Sequence, residues 1–275
     1  MPYGRRSDIL SQVDPMENAL ARPAVNRLQT VANLIPCGTT VVADIGYDHG
    51  RLISLLSRQR PEIRVIGVER QLGAAKRFWN SNRLPAQVQA RIRLIHGDGF
   101  EVLGTQTVET AVLAGLGERR IVDILDAAPQ VVARLTRLVL APLGTAAVLR
   151  PYLRARSWAV VEERLVVERG RFYQIFAACP GKAETDPDTW WFGTQLFEQR
   201  HPLLPAYLRQ LAHHLEPMVR HADEKSHDLQ QFCSRLGPAI KLAETRCQPD
   251  IKATKEEQRN VIDKLNQIQC ETATF

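Results

Sequence analysis

Residues 41–50, VVADIGYDHG, decide the fold. The first half is continuously apolar up to Asp44 and rich in β-branched side chains, as a strand buried on both faces requires. The second half places Gly46 and Gly50 around a short polar loop, after which residues 51–57 resume helical spacing. A buried strand that breaks at a glycine turn into a helix is the opening of a nucleotide-binding βα unit.

The alternation continues on both sides. Upstream, residues 23–35 (PAVNRLQTVANLI) carry apolar side chains at helical spacing, and Pro36 and Gly38 end the run. Downstream, residues 64–68 form a strand ending at Glu69, residues 73–80 a helix, and residues 92–96 a strand ending at Gly97-Asp98-Gly99. Residues 110–113 form a strand ending at Gly115-Leu116-Gly117, followed by a helix over 120–127 and a short one after Pro129. A strand over 138–140, a helix over 145–154, and two β-rich runs at 159–168 and 171–178 joined by Arg169-Gly170 complete the pattern. Alternating strands and helices give a parallel sheet covered on both faces, and the final hairpin adds an antiparallel edge. The expected domain, residues 23–180, is therefore α/β and Rossmann-like, with the seven-stranded sheet of class I S-adenosylmethionine (SAM) methyltransferases rather than a six-stranded all-parallel sheet.

Open α/β sheets bind ligands at the carboxyl ends of their strands. Here three successive strands end in acids, Asp44, Glu69 and Asp98, with glycine loops beside them. Gly46 allows the backbone to pass close to the methionine part of SAM, and Gly50 closes the loop. Asp44 or Asp48 can hold the ammonium group, and Glu69 can accept both ribose hydroxyls. Asp98, before Gly99, can accept from the adenine amino group, and Gly115 allows the chain to approach the methyl-transfer centre. NAD is the rival cofactor, but its G-x-G-x-x-G is absent and Asp48 would repel a pyrophosphate. SAM is cationic and carries no phosphate, so the acids favour it. On the side of the target, Leu116, Gly117, Arg27 and His49 are candidates. Arg27 reads equally as a residue that closes over the site or as a surface helix arginine. His49 either orients substrate or caps the next helix, and Tyr47 either stacks on a base or packs.

Residues 180–188 (PGKAETDPD) read as a linker. Beyond it, Leu204, Leu208, Leu211, Leu215 and Met218 recur at heptad spacing, and Leu229, Phe232, Leu236 and Ile240 form a second stripe. The spacing predicts a coiled-coil-like α-helical hairpin over 181–245, with Pro217 and Pro238 kinking or interrupting it. Residues 1–22 read as an arm and 246–275 as a polar tail with one last helix.

Composition bounds the function. The 275 residues are 44% hydrophobic with net charge +6. No run of about 18 apolar residues suggests a membrane span, and the polar first 20 residues contain no secretory signal. Five scattered cysteines without C-x-x-C point to reduced thiols in the cytoplasm rather than disulfides or zinc. His213, His214, His221 and Cys233 lack ligand spacing, so no metal is expected. Residues 1–180 carry 24 Lys+Arg against 16 Asp+Glu, and all the basic ones except Lys76 are Arg. Arginine suits phosphate and base recognition, so the charge permits a nucleic-acid partner.

Over residues 25–244 the chain resembles the bacterial tRNA adenine-N1 methyltransferases that modify position 22. The resemblance is carried by RLQTVANLIPCGTTVVADIGYDHGRL, the GDGFEVL run, VETAVLAGLGE, the hairpin VVEERLVVERGRFYQIFAACPG, and WFGTQLFEQRHPLLPAYLRQL. It implies SAM as cofactor, tRNA as substrate, and a helical C-terminal domain that helps to hold the tRNA. It further matches Arg27 to a family arginine. Two loops depart from the family pattern. Gly-Met-Gly-Gly becomes Gly115-Leu116-Gly117-Glu118, and Gln-Pro-Asn becomes Ala141-Pro142-Leu143. The expected function is methylation of adenine N1 in tRNA by a cytoplasmic monomer. The alternatives are an RNA-binding relative with impaired catalysis, motivated by the two altered loops, or a SAM methyltransferase with another substrate.

Overall fold

A computed structural model describes residues 27–182, 186–220 and 227–247. The arm at 1–22 and all of the tail beyond residue 247 lie outside these residues. The chain builds helix α1 (Arg27–Asn33), strand β1 (Val41–Ile45), α2 (Arg51–Gln59), β2 (Arg64–Glu69), α3 (Ala74–Ser81) and the short α4 (Ala86–Gln89). It continues through β3 (Ile92–His96), β4 (Thr110–Gly117), α5 (Glu118–Ala127), α6 (Pro129–Val132), β5 (Arg137–Leu143) and α7 (Leu149–Ala155). The hairpin β6 (Trp158–Glu168) and β7 (Arg171–Pro180) comes next, then α8 (Thr194–Glu198), α9 (Leu204–Arg220) and α10 (His227–Arg246).

The seven strands form one sheet in the order β3-β2-β1-β4-β5-β7-β6. β1 to β5 pair in parallel, and β7 lies antiparallel between β5 and β6. The expected seven-stranded Rossmann-like sheet is therefore present. Strand periodicity sends side chains alternately to two apolar layers. Ala43, Ile45, Ala111, Leu113, Leu138 and Leu140 meet Ile121, Ile124, Leu149 and Leu153 on one face. Val42, Val112 and Val139 meet Val31, Ile53, Leu56 and Phe78 on the other. Both faces are dry, which is why these strands read as unbroken apolar runs.

The C-terminal helices share a third core with the edge hairpin. Leu204, Leu208, Leu211 and Leu215 of α9 are buried with Leu165 of β6 and with Trp191, Phe192 and Phe197. Phe232 of α10 packs against Phe192 and Trp191 at ring-centroid distances of 4.8 and 6.0 Å. Leu204, Leu208, Leu211 and Leu215 are thus buried as the first stripe predicts, while the side chains of Met218 and of Leu229 in the second lie outside the described residues. In the second stripe Phe232 and Leu236 are buried and Ile240 is half-buried against the same core, and Ala239, Ala243 and the following Cys247 are buried as well. Small residues take those positions where α10 approaches the aromatic cluster. The predicted break at Pro217 is absent, and α9 runs through to Arg220. Pro238 likewise sits inside continuous α10. Gly237 and Pro238 are exposed, so the missing N–H leaves its carbonyl facing water rather than the core.

A buried ion pair joins these helices to the sheet. Arg150 of α7 lies 2.6 Å from Glu163 of β6, and both side chains are almost fully enclosed. The Arg150 guanidinium donates to the Trp190 carbonyl and covers the Phe176 ring. Glu163 accepts from the Gln195 amide. Arg150→Met would leave the Glu163 charge buried and unpaired. It should lower stability by about 3–5 kcal/mol, read as a shift of the urea midpoint with unchanged slope.

Candidate functional site

The strand order reverses between β1 and β4, so their carboxyl ends diverge into a crevice. The loop after β1 lines one wall. Gly46 and Tyr47 donate to the Val68 carbonyl at 2.8 and 3.4 Å, which ties this loop to the end of β2. Gly50 donates to Tyr47 at 2.6 Å, closing a tight turn. The turn needs left-handed backbone at Gly46 (φ 78°), Asp48 (φ 46°) and Gly50 (φ 65°). Any side chain at Gly50 would also stand 2.3 Å from the Phe78 ring.

The acids converge here. Glu69, at the end of β2, accepts from the Asp48 amide at 3.2 Å and from the Gln71 amide at 2.8 Å. Its carboxylate thus bridges the loops after β1 and β2 and keeps acceptor capacity for further donors. Asp44 is buried at the end of β1. Burial, and secondarily the charge of Glu69, raise its carboxyl from the ordinary 3.8 to about 7. A cation entering the crevice would relieve both effects.

Across the crevice, β4 carries a bulge between Ala114 and Gly117. Gly115 lies within it at φ 76° with open space where a side chain would stand, and Gly117 also faces open space. The Leu116 side chain reaches back over Gly46, whose added Cβ would lie 3.3 Å from it. Leu116, beside Gly115 in the bulge, therefore links β4 to the Gly46 loop.

Other candidates fall elsewhere or find partners. Asp98 forms an ion pair with Arg120 of α5, so the carboxylate expected to face an adenine amino group is already held on one oxygen. Gly99 takes a left-handed turn (φ 62°) against Ile124. His49 is exposed, 3.5 Å from Asp48, and does not cap α2, which begins after Gly50 without a side-chain cap. Tyr47 is buried against Gly67, which settles it as a packing residue. Arg27 covers the Tyr173 ring at 4.6 Å and pairs with Glu168 at 3.8 Å, fastening α1 to the edge hairpin. Several of the arginines that raise the charge of this half hold backbone in place. Arg60 donates to the Ile35 and Pro36 carbonyls, and Arg91 donates to those of Ser57, Arg60 and Ile63.

Three features have no local sequence signal. Glu118, read as a lost glycine, accepts hydrogen bonds across the loop after β5. Leu143 stays half-exposed at the end of β5. The expected helix over 145–154 begins only at Leu149, because Gly144 (φ 132°) and Ala146 (φ 60°) adopt left-handed backbone. Gly67 is the exception: a glycine inside a strand signals close approach, here by Tyr47, Ile53 and Leu94. A separate cavity of about 420 Å³, lined by Arg154, Trp158, Lys182 and Trp190, opens toward the amino ends of the strands, away from the acids. Among the described residues no three His, Cys, Asp or Glu side chains group to hold a metal ion. No described helix is long and apolar enough to cross a membrane.

The methyltransferase-domain family profile matches residues 24–176. A Bacillus subtilis tRNA (adenine(22)-N(1))-methyltransferase is 32% identical over 165 residues, spanning 59% of this chain and 67% of the relative. The chain belongs to the methyltransferase-domain family, as a divergent relative of these tRNA enzymes. The crystal structure of the B. subtilis m1A22 tRNA methyltransferase TrmK is 26% identical and superposes with a TM-score of 0.62 over 81% of this chain and 98% of that one. A Streptococcus pneumoniae protein solved in complex with SAM shares the fold at 24% identity, with a TM-score of 0.65 over 81% and 98% of the two chains.

The ionisation of Asp44 is testable in the ligand-free protein. Because its folded carboxyl is raised, the folded state keeps a proton that the unfolded chain has released, and stability falls as pH rises from 3.8 to about 7. Asp44→Asn should melt higher than the unsubstituted protein at pH 8, and the difference should shrink towards zero as pH falls to about 4, measured by thermal unfolding.

Proposed function

We propose that this protein transfers a methyl group from SAM to N1 of an adenine in tRNA. The observation that carries this reading is the meeting of Asp44, Glu69, Gly46 and the Gly115 bulge at one crevice in a chain 32% identical to a tRNA (adenine(22)-N(1))-methyltransferase. SAM supplies an electrophilic sulfonium methyl when bound. The fit to this crevice is electrostatic. Burial and the charge of Glu69 disfavour the Asp44 carboxylate, and a cationic ligand beside it restores that charge. Asp44 with Asp48 faces the ammonium end, and the spare acceptors of Glu69 suit the ribose hydroxyls. Gly46 and Gly50 keep the loop clear of side chains where the ligand passes, while Gly115 and Gly117 leave room at the reacting carbon. Asp98 and Gly99 border the base end, where Arg120 shares Asp98 with any ligand amino group.

Adenine N1 carries a lone pair and no proton, so no general base is required. The N1–carbon bond forms as the sulfur–carbon bond breaks, in line, and the positive charge passes to the base. Alignment is the main contribution of the protein, and well-oriented reactants can gain about 7–11 kcal/mol in this way. Leu116 and the exposed Leu143 offer apolar surface to a base that has been turned out of its stack. The two catalytic-side loops and Arg27 lie at the same carboxyl edge of the sheet, and a monomer acting in the cytoplasm completes the reading.

Calorimetry should show SAM binding that weakens at least tenfold in Glu69→Ala. Incubation with labelled SAM and unmodified tRNA should label the RNA, with N1-methyladenosine identified by nucleoside mass spectrometry. Absence of SAM binding at millimolar concentration, or tRNA binding without turnover, would overturn the proposal.

A further inference from the structure

The two loops that depart from the family pattern are joined to each other through Glu118. β4 resumes pairing after its bulge at Gly117, opposite Leu143 of β5. Glu118 comes directly after and turns its carboxylate across to the loop after β5. One oxygen accepts from the Thr145 amide at 2.8 Å, the Thr145 hydroxyl at 3.1 Å and the Ala146 amide at 2.8 Å. The other accepts from the Val148 amide at 2.8 Å and the Leu149 amide at 3.3 Å. Five donors thus converge on one carboxylate. The loop they hold contains Ala146, fully buried at φ 60°, a conformation that an alanine keeps only when its surroundings impose it. Gly144 fits beneath the same carboxylate, and an added Cβ there would lie 2.8 Å from its oxygen.

We infer that Glu118 is a positioning residue for methyl transfer. The inference rests on the function proposed above. Glu118 fixes the Leu143 wall relative to the bulge, and through Leu116 the bulge rests on the Gly46 loop. The carboxylate therefore sets the spacing between the surface that receives the base and the loop that holds the methyl donor. It touches neither reactant. The polar side chains of the usual loop are replaced here by an apolar wall held rigid from behind.

The test is steady-state kinetics on tRNA for Glu118→Ala, Glu118→Gln and Gly144→Ala, with SAM affinity measured alongside. Misplacing the wall should lower kcat ten- to hundredfold in Glu118→Ala, with KM for tRNA changed less than threefold and SAM affinity within twofold. Glu118→Gln keeps an acceptor for part of the loop and should fall between Glu118→Ala and the unsubstituted enzyme. Gly144→Ala crowds the carboxylate and should show the same kcat-specific loss. A Glu118→Ala enzyme with kcat within twofold of the original overturns the inference, as does a SAM affinity that falls in step with kcat. Amide hydrogen exchange separates this outcome from failure of the proposed function. If the unsubstituted protein labels no tRNA, that function fails. The clamp then stands if Glu118→Ala accelerates exchange at residues 145–149 at least tenfold, and falls if exchange is unchanged.

Discussion

A carboxylate sits at the end of the central strand with water removed from around it. Asp44 is placed there by the register of β1 between β2 and β4, and Glu69 arrives beside it because β2 ends one loop away. The parallel sheet brings two like charges close together, and its apolar layers keep Asp44 from solvent while Glu69 stays partly exposed. The ligand-free protein bears that strain as a carboxyl raised to about 7. Glycine turns, the β4 bulge and the reach of Leu116 across to Gly46 arrange space around this charge. The sheet supplies the location, and the loops shape the space beside it.

The opposite wall works by a different principle. Glu118 faces amides rather than ligand, and all five of its contacts come from the loop after β5. The buried carboxylate at the end of β1 and the backbone-organising one at the start of α5, just after the neighbouring β4, are thus distinguished by what surrounds them. Asp44 has its charge disfavoured by burial, whereas Glu118 meets a row of N–H donors at the start of α7.

The sheet and the acids that close its strands were legible because their signals are local. The apolar run before Asp44, the acids closing successive strands and the Arg169-Gly170 turn each emerge from spacing. The misreadings have tertiary causes. AAVLR after Gly144 has helical propensity, yet Ala146 is held left-handed by a carboxylate 28 residues earlier in the chain. Asp98 follows β3 as expected, and no local spacing announces the Arg120 of α5 that pairs with it. In α10 the apolar repeat picked out Phe232, Leu236 and Ile240, but not Ala239 and Ala243, which are buried in the core that Trp191 and Phe192 share. Pro217 and Pro238 read as kinks or interruptions, yet neither interrupts its helix, and Pro238 sits on an exposed face.

The buried contact between Arg150 and Glu163 bears on where the polypeptide can be divided. The sequence boundary near residue 180 falls between the sheet and the helices, but the energetic boundary does not. Glu163 binds the Gln195 amide, Arg150 binds the Trp190 carbonyl, and Leu165 lies in the same core as Leu204 and Phe232. A fragment ending after Lys182 would keep every residue of the crevice and still expose that core, together with the charged pair sealed beneath it. The C-terminal helices are thus part of the foundation of the edge hairpin, and this methyltransferase fold cannot be cut away from them intact.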